Sequence, residues 1–364
     1  MKAIKYLLLI MLCFYGEQIY SQKKAVWVPD SIASQISVIQ NQAREWKQHT
    51  DENPKDEKAW MRYVRTIQTL KSLTPGDSIE KEINEMMVKV KKYIPNTATY
   101  ALIQNMILPF SKSDMSFDEI MDKWPDAVMH YPTYMALSFH NKNRLKDVSI
   151  RWYQSGTYPL QSLNYTYNEL ISAEKDALIF TDANWTLFAS YLLQYGKGLF
   201  NDKKVIFSAL MLTPFSMNEL TEELGIPEFK DADPEFYKSK TPTMTFANEM
   251  KDHLYGEGLL MRYSSKPYDN LAVMRRNFEN TYLLDYLYET FYPETLTDVC
   301  LDLKGVKMLS IYYVPAFKSL LQFYKESGDV THYDKLYSLL ESIVKKADYY
   351  SDEVRERYLK SINF

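Results

Sequence analysis

The stretch Ala177-Leu178-Ile179-Phe180-Thr181-Asp182, followed further along by Lys204-Val205-Ile206-Phe207-Ser208, decides the reading of the fold. Each is a short apolar run rich in strand formers. Between them, Trp185 to Tyr195 carries apolar residues at helical spacing, up to Gly196 and Gly198. A second helical stretch, Ser216 to Leu224, closes at Gly225. Strand, helix, strand, helix is the order of a βαβ unit, whose parallel pair is buried on both faces by its crossover helices. Two further candidate strands, Thr243 to Phe246 and Gly258 to Tyr263, flank a helix at Asn248 to Tyr255. Residues 161–265 are therefore expected to form a small α/β domain with a Rossmann-like parallel sheet.

On both sides the periodicity is that of amphipathic helices. In residues 22–160, Ile32, Ile36, Ile39 and Trp46 mark one helix. Trp60, Tyr63, Val64, Ile67 and Leu70 mark a second, and Ile83, Met86, Met87 and Val90 a third. Breakers stand at the junctions: Asn53-Pro54, Thr74-Pro75-Gly76-Asp77 and Pro95-Asn96. Phe117 to Met129, Pro132 to Phe139 and Asp147 to Tyr153 continue the pattern. In residues 266–364, Tyr282, Leu283, Tyr286 and Leu287 precede helices at Val314 to Tyr324 and Tyr333 to Val344, joined by the turn Glu326-Ser327-Gly328-Asp329. Both flanks read as tetratricopeptide-like helical hairpins, although no fixed period near 34 survives inspection.

Composition agrees with a globular, helix-dominated chain: 46% apolar, 25% charged, and only 10 glycines in 364 residues against a usual share of about 7%. Net charge is −4 with both signs interleaved, so no basic stripe is present to gather phosphates and nucleic acid is not an expected partner. The 30 tyrosines can stack on sugars or peptides, or serve as packing residues of amphipathic helices.

At the N-terminus, Lys2 and Lys5 precede the apolar run Tyr6 to Tyr15, followed by Gly16 and Glu17-Gln18. That order is the order of a secretory signal peptide over residues 1–21, with cleavage expected between Ser21 and Gln22. The run is about half of the roughly 20 apolar residues a spanning helix needs, so a chain that is not membrane-spanning after cleavage is expected. Leu12 stands where a lipobox needs a small residue before Cys13, so a lipoprotein is not expected. Cleavage leaves Cys300 as the lone cysteine, which excludes an intramolecular disulfide. The expected location is periplasmic or secreted.

Ligands of open parallel sheets bind at the carboxyl ends of strands, which is where Asp182 and Asn184 lie. These two are candidate ligand-binding residues; the competing reading is that one of them caps the following helix. Glu257 and Arg262 are candidates for a polar cluster at the sheet edge; the competing reading is a structural ion pair, which is the commoner arrangement. No glycine-rich phosphate loop, nucleophile elbow or paired-carboxylate spacing appears, and the five histidines are scattered. No catalytic residue, metal site or cofactor is therefore expected. Asp30-Ser31-Ile32 and Asp77-Ser78-Ile79 resemble an O-glycosylation signal used by some Gram-negative bacteria, while serine at an expected helix start is equally well explained as a cap.

The middle region also resembles a family: the periplasmic part of large bacterial inner-membrane proteins of unknown function that are related to protein O-mannosyltransferases. The residues that carry the resemblance are Phe180, Thr181, Phe188, Leu193, Gln194, Gly198, Asp202, Lys204, Val205, Leu210, Thr213, Pro214 and Leu220. A second patch is Leu254-Tyr255-Gly256-Glu257-Gly258-Leu259 with Arg262 and Tyr263. The resemblance covers roughly residues 165–345 and implies an α/β part followed by a tetratricopeptide-like tail outside the inner membrane. The family's two acidic residues after the first strand correspond here to Asn184 and Thr186, and the multi-pass membrane part has no counterpart. A transferase activity is therefore not implied.

The expectation is an exported, non-catalytic scaffold that engages an envelope protein or glycan. The alternative is an α/β ligand-binding or glycan-related enzyme module using Asp182, Asn184 and Arg262.

Overall fold

Amphipathic spacing and helix-capping chemistry shape most of the chain. The structure, a computed structural model, describes residues 32–108, 113–139, 141–181, 184–207, 254–263, 269–284, 309–347 and 350–363. The described residues fall into two compact units, up to Val148 and from Ser149 onward, with the division inside a helix.

The first unit holds α1 (Ile32–Glu52), α2 (Glu57–Leu73), α3 (Asp77–Tyr93), α4 (Ala98–Ile107), α5 (Phe117–Lys123), α6 (Tyr131–Leu137) and the start of α7 (Lys142–Gln154). The Asp56 carboxylate accepts from the amides of Lys58 and Ala59, satisfying two orphan donors at the start of α2. Thr97 caps α4, and Ser116 with Glu119 forms a capping box on α5. The apolar faces meet in a core around Trp60, Met61, Val64, Ile67, Met86, Val90 and Leu102, all almost wholly buried. The Trp60 indole reaches this core while its Nε1–H donates to the Pro54 carbonyl at 2.9 Å. The expected helix from Phe117 to Met129 is shorter than its apolar pattern. It ends at Lys123, and a single tight turn, Val128–His130, leads into α6.

The second unit contains the rest of α7, then α8 (Leu160–Ser172), β1 (Leu178–Thr181), α9 (Asn184–Tyr191), a wide turn over Leu192–Gly196 and β2 (Lys204–Phe207). Next come β3 (Leu254–Glu257), β4 (Leu260–Tyr263), α10 (Leu271–Asn280), α11 (Tyr313–Ser327), α12 (Val330–Lys346) and α13 (Asp352–Ile362). One core of this unit gathers Phe278, Tyr313, Phe317, Leu320, Leu321, Tyr324, Leu336, Leu340 and Val344 from α10, α11 and α12.

The expected α/β domain with a Rossmann-like sheet is overturned. β1 and β2 do lie parallel, with Leu178 opposite Lys204 and Thr181 opposite Phe207, but each is four residues long and no third described strand joins them. β3 and β4 form a separate antiparallel hairpin. Two such ladders cannot make the layer that a doubly wound domain packs its helices against, and helices dominate the described residues instead. Leu254 and Tyr255, expected at the end of a helix, lie in β3. The expected strand Thr243 to Phe246 and helix Ser216 to Leu224 lie outside the described residues, as does the signal segment 1–21. No described helix is long and apolar enough to cross a membrane.

Candidate binding surface

The residues singled out from the sequence fall at three places. Asp182 lies outside the described residues. Asn184 is the first residue of α9. Around them, the hydroxyls of Thr181, the last residue of β1, and Thr186, in the first turn of α9, are 2.7 Å apart and tie the two sides of the connection together. Glu257 ends β3 opposite Leu260, and Arg262 stands in β4 opposite Tyr255. These two share one hairpin but not one register pair, and no ladder joins that hairpin to β1 and β2.

Sequence reading missed a buried polar lock that ties this hairpin to the helices. Asn168 of α8 accepts from the Leu283 amide at 2.7 Å and donates to both the Leu283 carbonyl and the Tyr313 hydroxyl at 2.8 Å. One turn on, Ser172 lies 2.8 Å from the Tyr282 hydroxyl. Gly258, at the hairpin turn, packs so tightly on this pair that a Cβ there would fall 2.0 Å from Ser172 Oγ and 2.6 Å from Tyr282 Oη. Buried polar atoms cost little only when every one is paired, and Asn168 pairs with Leu283 and Tyr313, two residues that no periodicity connects to it. The lock is a structural element. It holds the segment after α10 against α11.

A second polar group lies nearer the surface, where α10, α11 and α12 meet. The Glu279 carboxylate takes the Arg275 guanidinium at 2.8 Å and the Tyr324 hydroxyl at 3.0 Å. Asp329 caps α12, accepting from the His332 amide, and its second oxygen is 2.8 Å from His332 Nδ1. The His332 ring stacks on Tyr324 with centroids 5.2 Å apart, and Lys335 lies over Phe278. The hydrogen bond and charge of Arg275 hold the Glu279 carboxyl below its ordinary range, and His332 does the same for Asp329. Burial and the Glu279 carboxylate together push the Tyr324 phenol up, so it remains a donor. Spacing that could have flagged the site was present: Arg275 and Glu279 at i, i+4, and Asp329 and His332 at i, i+3. What a linear reading lacks is that Tyr324 sits between the two pairs.

Farther along α12, Tyr333 and Tyr337 stack at 5.9 Å with rings 18° from parallel, both half-buried, and Val330 at the start of the helix is 65% exposed. The Tyr337 hydroxyl donates to Asn363 at 2.8 Å, which fixes its ring. Val330, Tyr333 and Tyr337 follow the i, i+3, i+7 spacing of one helical face, and this face offers flat apolar rings with polar edges. Such rings suit the apolar faces of sugars or of peptide side chains. Among the described residues no group of three or more His, Cys, Asp or Glu side chains comes together to hold a metal ion. Comparison of the chain with protein-family models, with curated proteins and with solved structures finds no match.

Proposed function

We propose that this chain is an exported, non-catalytic scaffold that binds a protein or glycan partner in the cell envelope. The observation that carries the binding surface is the stacked, half-exposed Tyr333–Tyr337 pair with exposed Val330 on α12, next to the polar group of Arg275, Glu279, Asp329 and His332. Rigid tyrosines add contact area at low entropic cost because they have two side-chain torsions, and a polar rim adds orientation. Export is proposed on the N-terminus alone, where two lysines precede an apolar run too short to span a bilayer. No family match supports the resemblance of the middle region.

The test uses the mature chain immobilised against envelope extract and against an array of purified glycans. One class of partner is expected to be retained, and Tyr333→Ala with Tyr337→Ala is expected to release it; because both rings also pack against the core, the melting temperature is expected to fall, and far-UV circular dichroism checks that the variant is still folded. Equal retention by the double variant, or retention of nothing, rules out this surface. N-terminal sequencing of the protein from its own cells tests export separately, with Gln22 the expected first residue.

A further inference from the structure

We propose that Ser78 is a glycan acceptor, modified through its side-chain oxygen within the tripeptide Asp77-Ser78-Ile79. From the sequence, that tripeptide has two readings, a helix cap or an acceptor signal, and the structure separates them. The N-cap of α3 is Gly76, in extended backbone with no side-chain cap, and Ser78 is the second helical residue. Serine and threonine do cap elsewhere in this unit: Ser116 accepts from the Glu119 amide, and Thr97 from that of Tyr100. Ser78 does neither. It is exposed, and its hydroxyl makes no hydrogen bond among the described residues.

The surroundings suit approach by a second protein. A Cβ built on Gly76 would meet no atom within 4 Å, so the space before the turn is open. The turn is also held in place, because Lys71 of α2 and Glu80 of α3 bridge it at 2.7 Å. Asp77 beside the acceptor is exposed and forms no ion pair with a described residue, which leaves its carboxylate for recognition. In the twin tripeptide, Asp30 and Ser31 lie outside the described residues.

The proposal rests on the export proposed above, since the donor it requires is a sugar on a lipid-linked pyrophosphate met in the envelope. Ser78 Oγ attacks the anomeric carbon, the Oγ–C1 bond forms and the bond from C1 to the phosphate oxygen breaks. The lipid pyrophosphate leaves with the electron pair, and the hydroxyl proton passes to a base on a separate transferase. No oxidant or reductant is needed.

Intact-mass and peptide mapping of the protein purified from its own cells tests this. The expected result is a sugar increment on the peptide containing Ser78, in a chain that begins at Gln22. A bare Ser78 in a chain that begins at Gln22 overturns the glycan and leaves export standing, whereas a bare Ser78 in a chain that begins at Met1 overturns both. A phosphate increment at Ser78 also overturns the glycan. Asp77→Glu keeps a carboxylate at the helix start but breaks the tripeptide. It is expected to lose the increment with an unchanged melting temperature, and retention of the sugar in that variant sinks the tripeptide as the recognition signal.

Discussion

His130 is buried in the first unit with Nε2 2.7 Å from the Thr99 hydroxyl and no partner on Nδ1 among the described residues. Burial, with a smaller contribution from the nearby Arg65 charge, pushes its pKa down to about 3, so the folded protein holds it neutral. The unfolded chain protonates the same ring near its ordinary 6.5 and therefore binds more protons between the two values. Stability that is complete above about pH 6.5 is expected to fall as pH drops toward 3, by up to about 1.4 kcal/mol per pH unit. Urea titrations at stepped pH check this, with His130→Gln expected to flatten the slope; an unchanged slope in that variant would exclude His130 as its source. Asn168 is a different case, since its loss takes the partner from the part-buried amide and carbonyl of Leu283 and from the buried Tyr313 hydroxyl at once. Asn168→Ala is expected to cost roughly 2–3 kcal/mol in denaturant unfolding, the level of several polar groups losing one shared partner. A cost below about 1 kcal/mol would mean water replaces the amide. Neither residue announces itself in the sequence, because a histidine or asparagine at helical spacing looks the same whether its partners are protein or solvent.

Among the elements, two glycines show how one residue type does two jobs. Gly328 ends α11 with φ 72° and has open space around it. Only its left-handed backbone is needed there, so Gly328→Ala is expected to cost about 1 kcal/mol. Gly258 has φ 61° and also faces Ser172 and Tyr282 at distances no Cβ tolerates. Gly258→Ala is expected to cost at least about 2 kcal/mol more than Gly328→Ala, because overpacking adds to the backbone strain. Thermal unfolding of the two variants side by side checks the ranking, and equal losses would contradict the tight packing of the hairpin on α8. The helices of the first unit and the α11–α12 hairpin were legible because spacing and breakers agree: Asp56 caps where Asn53-Pro54 interrupts, and Gly328 turns where Glu326 to Asp329 is polar. The α/β domain misled because a four-residue apolar run reports a strand without reporting how many others will join it. Ile179 and Val205 do face each other in a ladder, yet among the described residues that ladder is two strands wide.

For the whole molecule, two compact units with separate buried cores predict two unfolding transitions. Calorimetry of the mature chain is expected to resolve them, with acidification lowering the one that contains His130 and Asn168→Ala lowering the other. A single transition shifted equally by both changes would show that the units unfold as one. Of the residues expected to bind a ligand, Asn184 opens α9 after β1, while Glu257 and Arg262 lie in the β3–β4 hairpin, and no ladder among the described residues joins that hairpin to β1 and β2. The sequence by itself determined the helical character, the helix caps and turns, the low tendency to span a membrane and the tripeptide at Ser78, because each depends on neighbours within a few residues. Only the tertiary structure decided that no ladder among the described residues joins the two strand pairs, that Asn168 meets Leu283 and Tyr313, that Tyr324 sits between the Arg275–Glu279 and Asp329–His332 pairs, and that Ser78 is not a cap. Those outcomes depend on which distant groups become neighbours, and burial makes such neighbours energetically binding only after the chain has folded.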